Sequence, residues 1–276
     1  TLQKGELQKM KGFGEHKKFV NKNKEKSIVE NFKKQIINHA IQLQLNGNVT
    51  EATKYYQKII NQGCEDPRVF ANYGFILRNL GKLQEAALST RKAIELNPNY
   101  TLAHSNLGLL FRDLGKLKEA EQSFRKAIEL NPDYAMAHCN LGVILKDLGK
   151  LKEAEKSTRK AIKINHDFSE AHSILGTILK NLGKLKEAEK STRKAIELNP
   201  DYAEAHSNLG SILKNLGKLK EAELSFLKAI QLNPNLASAY FSLSTLKYSN
   251  ESKKWKKQLF SEKIMKTKLE KDKINI

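Results

Sequence analysis

Cysteine, proline and tryptophan are scarce in this chain: two, five and one in 276 residues. Cys64 and Cys139 stand far apart in sequence, which excludes a disulfide framework and fits a reducing compartment. No apolar run approaches the roughly 18 residues that a membrane-spanning helix needs. The N-terminal stretch is too polar for a signal peptide, so a cytoplasmic location is expected. The chain begins with Thr1 and its first methionine is Met10, which fits a processed chain or a fragment. A phosphate-cradling glycine loop, HExxH and GxSxG are all missing, so neither catalytic activity nor a metal or cofactor is expected.

Acidic charge is also in deficit. There are 30 Asp and Glu against 49 Lys and Arg, a formal charge of +19. The excess is concentrated at the ends, because residues 1–32 and 237–276 hold more than half of it. Such a balance favours acidic proteins, nucleic acid or an anionic surface as partners. Few aromatics accompany the terminal lysines, so base stacking is poorly served and nucleic acid is the weaker choice.

What the chain does have is a repeat. Leu114–Glu121 recurs at Leu148–Glu155, Leu182–Glu189 and Leu216–Glu223, at an offset of 34 residues. Periods then run 67–100, 101–134, 135–168, 169–202 and 203–236, with a degenerate one at 33–66 and a half period from Ala237. Each period predicts two helices. In 203–236, His206, Leu209, Gly210 and Leu213 share one helical face, and Gly217 marks the turn. Leu219, Ala222, Phe226, Ala229 and Ile230 line the second helix, which Asn233–Pro234 is expected to end. One pair cannot cover its own apolar faces, so neighbours must stack. Residues 1–32 are Lys-rich with little periodicity and are expected to be disordered. A basic helix over 252–272, holding Trp255, Leu259, Ile264 and Leu269, is expected to cap the array.

The period resembles the tetratricopeptide repeat family. Leu-Gly at positions 7–8 (Leu107–Gly108, Leu141–Gly142, Leu175–Gly176, Leu209–Gly210), Ala at 20 and 27 (Ala120 and Ala127) and Pro at 32 (Pro98, Pro132, Pro200, Pro234) carry the likeness. The resemblance implies an all-α, right-handed superhelical solenoid of stacked antiparallel helix pairs. Three departures imply lighter packing in some units: His104, His138, His172 and His206 at position 4, Thr90, Thr158 and Thr192 at position 24, and His166 in place of Pro. The histidine column is not a metal site by spacing. Equivalent residues of stacked helices sit about 10 Å apart, whereas zinc ligands lie about 2 Å from one ion.

In the family the first helix lines a concave surface. Opposite positions 4, 7, 8 and 11, that face presents Asn72, Asn106, Asn140 and Asn208 at position 6, with Ile174 interrupting the row. An exposed asparagine can pair with a peptide's C=O and N–H together, and the column resembles the asparagine ladder of O-linked N-acetylglucosamine transferase. Position 9 offers Phe75, Leu109 and Val143 for apolar side chains. Position 12 is always basic: Arg78, Arg112, Lys146, Lys180 and Lys214. Recent duplication also accounts for much of this regularity. The family's carboxylate clamp needs Lys at position 5, where this chain has Ala71, Ser105, Cys139, Ser173 and Ser207. The resemblance therefore implies a protein-interaction scaffold that binds an extended, acidic peptide or partner in its groove. A second expectation is the recognition arm of a sulfo-, methyl- or glycosyltransferase whose catalytic domain lies outside this chain, since similar arrays in marine cyanobacteria precede such domains.

Overall fold

A computed structural model describes residues 34–246; the expected N-terminal disorder and the capping helix lie outside the described residues. The chain divides into two compact units between Asp133 and Tyr134. The first contains α1 (34–45), α2 (Val49–Asn61), α3 (Pro67–Asn79), α4 (Leu83–Leu96), α5 (Thr101–Asp113) and α6 (Leu117–Leu130). The second contains α7 (Ala135–Asp147), α8 (Leu151–Ile164), α9 (Ser169–Asn181), α10 (Leu185–Leu198), α11 (Ala203–Asn215), α12 (Leu219–Leu232) and α13 (Ala237–Ser244). The described residues include no strand. Each unit is a stack of antiparallel helix pairs.

Local chemistry sets the helix ends. After α5 the chain turns at Gly115, whose φ of 71° costs a residue without a Cβ little. Its N–H bonds Arg112 O at 2.9 Å, and the next N–H, of Lys116, bonds Phe111 O at 2.8 Å, which satisfies the last carbonyls. α12 ends at Leu232, directly before Asn233–Pro234 as expected, but the proline is not what all second helices share. α8 stops at Ile164, in register with its relatives, although His166 stands where they have proline. Asn165 takes the Asp167 N–H on its side-chain oxygen at 3.1 Å, as Asn131 does for Asp133 at the same distance. The asparagine therefore suffices to turn the chain, and proline is not required.

Small residues let the helices of a pair approach. Ala120, Ala127, Ala188 and Ala195 are fully buried. A Cβ added at Gly108 would lie 2.8 Å from the Phe124 ring, so the aromatic fills the space that glycine leaves. Where position 24 is threonine the filler is smaller. Thr158 donates its hydroxyl to Ala154 O at 2.9 Å, whereas the buried Thr192 hydroxyl has no partner among the described residues.

The first helices bury more than the single face read from the sequence. Ala103, Ser105 and Leu110 in α5, and Ala171, Ser173 and Ile178 in α9, are also buried. These are positions 3, 5 and 10. Ile212 of α11 packs with Leu175, Leu179 and Ala188 of the preceding pair, so the core lies as much between successive pairs as within them.

Ion pairs repeat the arrangement outside. Arg159 pairs with Glu155 at 2.9 Å and with Glu187 of the following pair at 2.9 Å, while Lys184 reaches back to Glu155 at 2.9 Å. Arg193, Glu189, Glu221 and Lys218 repeat this one period later. No helix among the described residues is long and apolar enough to cross a membrane.

Candidate functional site

The position-6 asparagines do not all stand free, contrary to the expectation from sequence. Asn106 is only 6% exposed, and its side-chain N–H donates to Ala71 O at 3.2 Å, on the first helix of the preceding pair. Asn208 donates to Ser173 Oγ at 3.0 Å in the same way. Asn72 bonds the Tyr56 hydroxyl, which itself donates to Gln44 at 2.9 Å. Burial pushes that phenol up to about 12 despite the Asn72 bond. One end of each of these amides therefore joins neighbouring helices, and Asn140 is half-buried on α7. Helical periodicity places the column opposite Leu107 or Leu209. It does not reveal that this opposite face meets the preceding first helix.

Phe75 and Leu109 in the first unit, and Val143 in the second, are half-buried, so each shows part of its apolar surface. The position-12 cations divide by environment. In the first unit Arg78 bonds the Asp113 carboxylate, and Arg112 lies 3.4 Å from the same group. In the second unit Lys146 pairs with Asp147 at 2.7 Å. Lys180 and Lys214 bond hydroxyls instead, of Ser211 at 3.2 Å and of Thr245 at 2.9 Å. Neither has a carboxylate partner among the described residues. Burial, with the Lys146 charge one period away, pulls the Lys180 ammonium below the usual lysine range. Among the described residues, this end of the column thus carries positive charge that no carboxylate neutralises. The serine and threonine partners escaped the sequence reading. The signal was the change of position 13 from Asp113 and Asp147 to Asn181 and Asn215.

The histidine column is structural where its bonds are described. Nε2 of His104, His172 and His206 lies 2.9, 3.0 and 2.9 Å from the carbonyls of Pro98, His166 and Pro200. A carbonyl can only accept, so Nε2 carries the proton and ties the helix start to the loop before it. These three rings are half-buried rather than sealed in the core, while His138 is buried. No cluster of metal-ligating side chains occurs among the described residues. Cys139 is buried, and burial, helped by the Glu170 charge, pushes its thiol up to about 12, which makes it a poor nucleophile.

Family models described as tetratricopeptide repeat match residues 67–100, 90–122, 135–168 and 203–236, and one described as TPR repeat matches 108–149 and 176–217; together they span more than half of the chain. No curated protein matches the sequence. Among solved structures, YrrB, a TPR protein with an unusual peptide-binding site, is 26% identical over 68% of this chain and 97% of its own, with a TM-score of 0.52. TTC0263, a thermophilic TPR protein of Thermus thermophilus, is 23% identical over 63% of this chain and 95% of its own, with a TM-score of 0.55. The APC/C hetero-tetramer Cut9–Hcn1 has a TM-score of 0.72 at 15% identity, over 77% of this chain and 42% of that one. The last two likenesses concern the fold alone.

Proposed function

The chain belongs to the tetratricopeptide repeat family, and on that premise we propose that it is a non-catalytic scaffold holding an extended acidic peptide or partner segment in a groove formed by its first helices. Lys180 and Lys214 carry the reading, because no carboxylate among the described residues pairs with either. A partner's Asp or Glu would supply it. In the same unit Lys146 would contribute where the partner displaces Asp147, and the first unit by itself offers Arg78 and Arg112 where a partner displaces Asp113. Phe75, Leu109 and Val143 would take apolar side chains. The asparagines would use their remaining oxygen to accept backbone N–H groups. That YrrB is a TPR protein with a peptide-binding site favours a peptide ligand here too. Preformed helices lose little entropy on binding, which supports useful affinity from a modest contact area.

The test is affinity capture from native lysate with the full chain beside a Lys180→Gln/Lys214→Gln variant. A partner held by the first and lost from the second, and released by raised salt, is the expected result. Equal capture by both would overturn the groove reading.

A further inference from the structure

The repeats are close copies, so the positions where one departs from the rest are informative. Residues 151–162 and 185–196 are identical. Directly after this identity the copies part: Lys163 stands against Glu197 and His166 against Pro200. Both departures line one cavity of about 930 Å³ between α8 and α10, within the second unit. Its volume is that of a ligand site rather than a packing defect. Ile162, Leu175 and Leu179 supply apolar surface to it.

The rim is cationic, and the Lys163 departure makes it more so. In three other repeats the outer face carries a lysine–glutamate pair one turn apart: Lys92–Glu95 at 2.8 Å, Lys126–Glu129 at 2.7 Å and Lys194–Glu197 at 2.6 Å. Here the corresponding residues are Lys160 and Lys163, two like charges. Arg159 and Arg193 are held by glutamates and Lys194 by Glu197. Lys163, Lys186 and Lys190 line the cavity with no ion pair among the described residues. Glu187, Glu189 and Glu197 also line the cavity, but each is already paired, so the apolar surface beside Lys163, Lys186 and Lys190 selects a ligand with an apolar body and negative charge around it.

We propose that the cleft between α8 and α10 is a second docking site, distinct from the groove of the first helices, and that it takes an acidic peptide segment bearing a bulky apolar side chain. The side chain seats against Ile162, Leu175 and Leu179. Flanking carboxylates face Lys163 and Lys190, and the His166 ring, in place of a proline, adds an N–H donor to the rim.

The probe is a fluorescein-labelled peptide with a central Phe-Leu pair between Asp-Asp steps, titrated into the full chain by fluorescence anisotropy. The variant Lys163→Glu/His166→Pro restores residues that the next repeat already carries, so it keeps the fold. Binding to the parent chain that weakens about tenfold or more in this variant supports the site. So does equal weakening when Ser-Ser replaces Phe-Leu in the probe. In a Lys180→Gln/Lys214→Gln background, which disables the proposed groove, the probe should still bind and should still weaken on Lys163→Glu/His166→Pro, which separates the two sites. The proposal falls if the parent chain does not bind, if Lys163→Glu/His166→Pro binds equally, or if the serine probe binds equally and only charge is being read. It falls also if phosphatidylserine vesicles are bound through Lys163 while the peptide is not.

Discussion

The Asn106 side-chain amide donates to Ala71 O at 3.2 Å, thirty-five residues earlier, so a side chain of α5 ties itself to a backbone carbonyl inside α3. Asn106→Ala should remove this bond and leave a gap at a position only 6% exposed, at about 1–3 kcal/mol. Asn208→Ala removes one donor from the Ser173 hydroxyl, which still donates its own O–H to Tyr202, and should cost less, about 0.5–1.5 kcal/mol. Urea unfolding followed by circular dichroism gives the order; an equal effect at both positions would count against it.

Gly108 faces the Phe124 ring, so Gly108→Ala should destabilise by about 1–3 kcal/mol through overpacking, in spite of alanine's better helix propensity. Phe124→Leu in the same chain should recover part of the loss, because a smaller side chain reopens the space. Strict additivity of the two changes in thermal unfolding would refute direct packing.

Glu155 and Glu189 give the fold an acid dependence. Burial alone would raise their carboxyls. Hydrogen bonds from Lys184 and Arg159, and from Arg193 and Lys218, outweigh it and hold both below the usual glutamate range. A folded value below the unfolded one stabilises above the unfolded value of 4.5 and is lost as pH falls through the folded one. The melting temperature should be level between neutral pH and about 5 and then drop. In a Glu155→Gln/Glu189→Gln variant the neutral-pH stability should be lower and the drop shallower.

The repeat period, the two helices and their turn were legible because each rests on residues copied from period to period, such as Leu209, Gly210 and Gly217. Less legible was anything that depends on the neighbouring copy. Ala103, Ser105 and Leu110 read as the indifferent side of a helix until another first helix lies against them. Lys180 and Lys214 were visible as part of a basic column, yet that they meet hydroxyls is a property of what stands one period later. The cavity lined by Lys163 and His166 went unread for the opposite reason: attention to what recurs hides what differs.

His166→Pro should stabilise the chain by about 0.4–1 kcal/mol, since Asn165 before it is already extended at φ −130° and ψ 102° and the other copies use proline at this turn. A loss of stability in chemical denaturation would mean that the His166 ring or N–H makes a contact worth more than the entropy gained.

Cys139 should resist iodoacetamide at neutral pH while half-buried Cys64 is alkylated, and both should react once urea unfolds the chain. Peptide mass spectrometry after timed labelling reads this directly. Rapid native labelling of Cys139 would show that α7 opens on its own.

The outer ion pairs bear on how such a chain can change length. Arg159 reaches Glu187, and Arg193 reaches Glu221, across the same interval. If residues 169–202 were excised, Arg159 would come to face Glu221, and Glu155 would come to face Lys218, in the geometry each has now. Loss of one residue more or fewer would set every such partner on the wrong side of its helix. Growth and shrinkage of the array by whole periods is therefore nearly silent to the fold, whereas a shift of reading by a single residue is not.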